Sequence, residues 1–346
     1  MATPDITVMG AGVFGLCIAF VCARRGARVR VIEKRAVGAG SSGGIVGALA
    51  PHTPENWNPK KQFQLESLLM AQAFWDEIES VSGVSTGYAR NGRLQSIATE
   101  RALELAQARA VGAQTLWKGQ ADWQVVEAVE GWGPASDTGK LVFDTLSARI
   151  HPKQACDSLA AALRELGVES LNGDHPQKGP VIWATGYEGL AALSDELQKP
   201  AGNGVKGQAL SVKYDAGARA SQLFAEGIHI IPHDNGTVAI GSTSEREFDD
   251  PQSVDAQLDD LHRRALAVCP VLKGAPVVQR WAGVRPRAKS RAPMLGEWPG
   301  KSGHFIANGG FKIGFGMAPK VAEVMASLVL DGRDEIPDGF RVTDSL

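Results

Sequence analysis

The chain opens on two hydrophobic patterns in quick succession. Ile6-Thr7-Val8-Met9 reads as a short strand, and Phe14 through Ala23 is apolar with helical spacing, with Gly10, Gly12 and Gly15 at the junction. From Ile6 to Ala23 there is no charge over 18 residues, the length at which a membrane span becomes a candidate. The change of period, the three glycines and the leader Met1-Ala2-Thr3-Pro4-Asp5, which has an acid and no base, favour strand, turn and buried helix instead. Gly26 ends that helix, and Val29-Arg30-Val31-Ile32 reads as a second strand that closes at Glu33.

Farther along, Gln62 to Ser82 has apolar residues at helical spacing and stops at Gly83, with Phe74 and Trp75 expected in the core. Gly92 to Ala98 alternates like a strand, and Thr99 is placed to cap a helix through Val111. Pro152 to Gly167 reads as an amphipathic helix, and Val181-Ile182-Trp183 as a buried strand ending in Ala184-Thr185-Gly186. Ile228 to His233 and Thr237 to Thr243 flank Asp234-Asn235-Gly236, a hairpin signal because Asn-Gly readily takes positive φ. A helix over 253–269, a strand over 277–284 and a helix from Ala318 to Leu330, with Pro319 in its first turn, complete the pattern.

At 346 residues the chain has room for about two domains. Lys plus Arg number 36 against 38 Asp plus Glu, so no basic footprint points to nucleic acid or to an acidic membrane surface. Apolar content of 44% and charged content of 21% suit a globular protein with a small-molecule substrate. Cys17, Cys22, Cys156 and Cys269 form no C-x-x-C pair and suggest no zinc site; buried thiols in a reducing, cytoplasmic setting are expected, and no metal.

The hexamer Gly10-Ala11-Gly12-Val13-Phe14-Gly15 is a G-x-G-x-x-G between strand and helix, and Glu33 lies 18 residues beyond it. Gly10 permits the tight turn, Gly12 admits a pyrophosphate close to the backbone, and Gly15 lets helix and strand pack closely. The helix N-terminus offers free N–H groups to phosphate, and Glu33 can accept both ribose hydroxyls while disfavouring a 2′-phosphate. NAD and FAD both remain open at this point. The small residues after Glu33 and Lys34 favour FAD: Ser41-Ser42-Gly43-Gly44 and Gly47-Ala48-Leu49 could wrap the far side of an extended dinucleotide.

From these residues the chain resembles the superfamily of FAD enzymes that includes D-amino-acid oxidase, glycine oxidase and sarcosine oxidase. The resemblance is strongest at 5–51, 181–187, 205–245 and 279–330, and weak over 84–140. It implies an α/β fold, a Rossmann-like FAD-binding domain with an interleaved α+β substrate domain built on an antiparallel sheet. The FAD-binding part is expected at 1–80, 145–205 and 280–346, and the substrate part at 81–144 and 206–279. In the family, Ala184, Thr185 and Gly186 touch the cofactor, and the loop Gly309-Gly310-Phe311-Lys312-Ile313-Gly314 lies under the flavin ring. Only about 13 residues separate Gly167 from Val181, so the strand-rich excursion usual in relatives, with its strand for the FAD domain, is expected to be trimmed.

Trp281-Ala282-Gly283-Val284-Arg285-Pro286 looks like the W-A-G-x-R-P of glycine oxidase, whose arginine binds the substrate carboxylate; it maps onto Arg285. A guanidinium fork suits that task because it pairs bidentately and stays charged. Lys312 stands where glycine oxidases show an arginine, and His229 where several relatives have a tyrosine. His52, at the end of the flavin-facing loop, is a further candidate for the chemistry. No cysteine stands near Arg285, where sarcosine oxidases attach flavin, so non-covalent FAD is implied.

The implied reaction is oxidation of the C–N bond of an amino acid or secondary amine by hydride transfer to flavin. It gives an imine and then a keto acid or aldehyde, with oxygen or another acceptor taking the electrons. Three rivals compete: the FAD subunit of a heteromeric amine dehydrogenase, a non-catalytic FAD-binding protein, and an FAD hydroxylase that consumes NAD(P)H. Homo-oligomer formation is left open.

Overall fold

The uncharged opening run divides where its period changes. In the computed structural model, which describes residues 5–346, Asp5–Met9 is a strand and Val13–Arg24 a helix. Met1–Pro4, which with Asp5 make up the leader that has an acid and no base, lie outside the described residues. No helix among the described residues is long and apolar enough to cross a membrane.

Two large sheets organise the chain. The first has six strands, in the order Met294–Glu297, His304–Asn308, Val181–Trp183, Asp5–Met9, Arg28–Glu33 and Glu169–Asn172. All neighbours are parallel except the first pair, and Val8 lies level with Val31 on one side and Ile182 on the other. Parallel strands buried on both faces need continuous apolar sequence, as Ile6 to Met9 provides. The expectation that the excursion's strand is missing is therefore corrected. Glu169–Asn172 supplies it at the sheet edge beside Arg28–Glu33, and only residues 173–180 are left to cross back.

Four helices cover this sheet and share one core: Val13–Arg24, Pro59–Ser82, Pro152–Glu165 and Gly314–Asp331. Phe74 meets Phe20 and Trp75 edge-on, with ring centroids 6.0 and 5.3 Å apart, so both expected core aromatics are core. Asn58 caps the second helix, its side chain accepting the Lys61 N–H at 3.1 Å, which starts the helix earlier than the apolar pattern alone indicated. Gly83 ends it in the left-handed conformation. The last helix begins at Gly314 rather than near Ala318, so Pro319 falls in the second turn and the glycines 314 and 316 are helical.

The second sheet has eight strands: Val277–Ala288, Gly202–Lys213, Thr237–Gly241, Ile228–Pro232, Gln222–Ala225, Arg93–Ser96, Lys140–Asp144 and Trp123–Glu127. It is antiparallel except where Gln222–Ala225 runs parallel to Arg93–Ser96. Val277–Ala288 stays in this sheet for its full length, past the residue 280 at which the chain was expected to leave it. On one face Leu210, Val212 and Ile240 pack against Leu258, Leu261 and Ala265 of the helix Ala256–Val268. On the other, Ala209, Ile231, Ala239 and Trp281 pack against Ile45 and Val46 of the loop that follows Glu33. The two sheets thereby enclose that loop between them.

Candidate active site

A cavity of about 620 Å³ runs from the C-terminal ends of the parallel strands to the open face of the second sheet. One end is the glycine turn. Gly10 has a φ of +104°, and a Cβ on Gly15 would stand 2.0 Å from the Gly10 carbonyl oxygen, so neither position tolerates a side chain. The Glu33 carboxylate closes this end, accepting the Ala11 N–H at 2.8 Å and the Arg35 N–H at 3.0 Å while still lining the cavity. The Ser42 hydroxyl accepts the Val13 N–H at 3.0 Å, which ties the loop to the helix N-terminus.

The middle is lined by Gly12, Phe14, Lys34, Ser41, Gly47, Ala48, Ala184, Thr185 and Gly186. A Cβ on Gly47 would overlap the Ile150 carbonyl, so this loop is pressed close to the chain beneath it. The far end has Gly310, Phe311, Lys312 and Gly314 on one side and His229, Ser242, Trp281 and Arg285 on the other. A carboxylate at the end of the second parallel strand, a glycine turn at a helix N-terminus and a wall of small residues fit a dinucleotide.

The cationic end is built by sheet register. Val205 pairs with Arg285 and Gly207 with Gly283, so residues 207, 283 and 285 share one face. Arg285 crosses above Gly207, where a Cβ would lie 1.8 Å from its Nη2, and donates from Nη2 to the Ser242 hydroxyl at 2.6 Å. Trp281 lies flat over Gly283 in the same way, 2.4 Å from where a Cβ would sit. Burial pushes the guanidinium down to about 10, against the opposing pull of Glu245. No acidic side chain forms an ion pair with it among the described residues.

Lys312 sits across the cavity with Nζ 5.8 Å from the Phe311 ring centre. Burial, and then the charge on Arg285, hold its ammonium below the ordinary value. His229 packs on Phe224 at 4.7 Å, with Nδ1 buried and unpartnered. Its pKa is driven to about 3, by burial first and then by the charges of Arg93, Lys312 and Arg285, so the ring is neutral at physiological pH.

Several sequence candidates stand elsewhere. His52 is not on the cavity wall: its backbone N–H donates to Gln64 Oε1 at 2.7 Å and its Nδ1 meets the same oxygen. The ring secures the loop to the helix Pro59–Ser82. Gly15, Gly43, Leu49, Gly309 and Ile313 also lie behind the lining. Gly43 serves sterically, since a Cβ there would sit 2.2 Å from the Gly38 carbonyl. Sequence reasoning missed Phe224, Tyr187, Glu188 and Ser242, all of which line the cavity. Glu188 reaches Arg35 at 3.4 Å. Tyr187 and Glu188 directly follow the Ala-Thr-Gly segment, a usable signal; Phe224 carried none.

Known proteins share this architecture. The crystal structure of glycine oxidase from Geobacillus kaustophilus superposes with a TM-score of 0.83, at 22% identity, over 99% of this chain and 100% of that one. That of L-proline dehydrogenase from P. horikoshii superposes with a TM-score of 0.79, at 18% identity, over 97% and 95%. In sequence, the glycine oxidase of Pseudomonas putida is 27% identical, with 96% of each chain covered. A family model described as FAD dependent oxidoreductase, DAO, matches residues 5–328, and this chain, an enzyme with FAD as its cofactor, belongs to that family.

Proposed function

We propose that this enzyme oxidises the C–N bond of an amino acid or N-substituted amino acid whose carboxylate is held by Arg285. The observation that carries the reading is a buried guanidinium on the cavity wall with hydroxyl and carbonyl partners only. A buried cation without a counter-ion is costly, so the pocket favours an anionic ligand. The glycine oxidases of G. kaustophilus and P. putida, similar over nearly the whole chain, support the same substrate class.

FAD, when bound, supplies the two-electron oxidising power by taking a hydride equivalent from the substrate's α-carbon. The chain's own residues position. Arg285 fixes the carboxylate, and Trp281 and Phe224 narrow the space beside it. His229, being neutral, accepts a hydrogen bond from the substrate amine without protonating it. The N-terminus of the helix Gly314–Asp331 presents its positive end to the cavity through Gly314 and Phe315, where it favours developing negative charge. The imine is released to water and hydrolysed to a keto acid and ammonia or a smaller amine.

None of the four cysteines lines the cavity, which supports non-covalent FAD, and all four are free and buried, which suits a reducing compartment such as the cytoplasm. The test is an anaerobic panel of amino acids and N-methyl amino acids, read by bleaching of the flavin band. At least one should bleach it in the wild type and none in Arg285→Ala at comparable rate. Bleaching by none, or equal rates in the variant, overturns the reading. Hydrogen peroxide formation in air then distinguishes oxygen from a partner protein as acceptor.

A further inference from the structure

Beneath Arg285, on the opposite face of the strand Gly202–Lys213, the buried Lys206 and Gln208 meet the buried Glu245 and the half-buried Thr243 in a polar cluster that does not line the cavity. Glu245 is fixed twice. Its backbone exchanges two hydrogen bonds with Lys206, each 2.9 Å. Its Oε1 accepts from Gln208 Nε2 at 3.1 Å and from the Thr243 hydroxyl, while Oε2 faces Lys206 Nζ at 3.7 Å. Gln208 also donates its backbone N–H to the Thr243 hydroxyl at 2.8 Å and its side chain to Asp255, the cap of the helix Ala256–Val268, at 2.9 Å.

The arrangement leads from Glu245 to the guanidinium. Thr243, gripped from below through its hydroxyl, offers its carbonyl to Arg285 Nη1 at 3.4 Å, and the adjacent Ser242 hydroxyl takes the 2.6 Å bond from Nη2. Lys206 Nζ faces Glu245 Oε2 at 3.7 Å, so what Glu245 offers Arg285 is the fixed placement of Thr243 and Ser242 and not a dedicated counter-charge.

We propose that Glu245 is a positioning residue for substrate: through Thr243 and Ser242 it holds Arg285 in the pose that receives the carboxylate. The inference rests on Arg285 being the carboxylate partner, as proposed above. It assigns Lys206 and Gln208 the task of holding Glu245 still. A purely structural Glu245 would balance Lys206 and matter only to stability.

The experiment uses the FAD-loaded enzyme and two variants, Glu245→Gln and Thr243→Val, with acetate as a carboxylate that cannot be oxidised. Acetate binding is read from the flavin spectrum, and KM and kcat are measured with the amino acid that reduces the flavin fastest. Loss of a charge-assisted contact predicts a roughly tenfold rise in acetate Kd and in KM for Glu245→Gln, with kcat changed less than about threefold. Thr243→Val, which keeps both charges, should shift Kd in the same direction by less. Unchanged Kd and KM in both variants, with only the melting temperature lowered, would overturn the proposal. Should Glu245→Gln fail to fold, Thr243→Val decides alone, by a raised or an unchanged Kd. If Arg285→Ala itself binds acetate normally, the fault lies with the carboxylate assignment and not with Glu245.

Discussion

Arg285 reaches its hydrogen-bonding partners only because residue 207 is glycine. The guanidinium lies across the neighbouring strand at that residue, where a Cβ would stand 1.8 Å from Nη2. Arginine and glycine are 78 residues apart in sequence and meet through the antiparallel register that pairs Gly207 with Gly283. Neither carries that information alone.

Gly207→Ala should therefore act on substrate while sparing the cofactor. The new methyl group must displace the guanidinium by about 1 Å or more, and misplacements of that size cost on the order of a hundredfold in kcat/KM. Steady-state kinetics and FAD content together check this; unchanged kinetics would show that the arginine has another workable pose.

Glu33→Gln tests the opposite end of the cavity. The amide oxygen can still accept the Ala11 N–H, but the Arg35 N–H loses its acceptor and the charge that would support hydrogen bonds from ribose hydroxyls is gone. FAD affinity should fall roughly tenfold, about 1.4 kcal/mol, with the secondary structure intact. Equilibrium dialysis of the apoprotein against FAD measures it.

Acetate binding should depend on alkaline pH earlier than an ordinary arginine allows. Burial favours the neutral form of Arg285 and brings its pKa down to about 10 from 12.5, so the binding-competent cation is lost as pH rises through about 10. Lys312 is lowered in the same sense, by burial and then by Arg285. The Kd should be flat near pH 8 and rise about tenfold per unit above pH 10. A flat profile to pH 11 would contradict a desolvated guanidinium.

The eight-stranded sheet has a buried ion pair whose loss should be costly. Arg93 Nε donates to Asp144 Oδ2 at 3.0 Å, and Asp144 also accepts the Ser147 N–H at 2.7 Å with no solvent exposure. Asp144→Asn leaves the Arg93 charge buried and uncompensated, a loss of about 3 kcal/mol or more. The urea midpoint should drop accordingly, and Arg93→Met combined with Asp144→Asn should recover part of it.

The sequence alone determined the elements whose cause is local. Strand, glycine turn, helix and second strand follow from residues 6–33 because each signal lies within a few residues of the structure it produces. The helix after Thr99, its cap and the Asn-Gly hairpin are equally local, as is the identity of Arg285 once its motif is read. Tertiary structure decided what depends on distant contacts. Lys140–Asp144 becomes a strand because the edge of Arg93–Ser96 stands ready for it, and Trp123–Glu127 then adds to Lys140–Asp144. His52 and His229 look alike in sequence, each beside the expected site, yet packing gives one to Gln64 and the other to the cavity wall. Phe224 reaches the cavity wall, and Gly207 comes to lie under Arg285, through strand register, which no local pattern encodes, because pairing brings together residues whose separation along the chain is arbitrary.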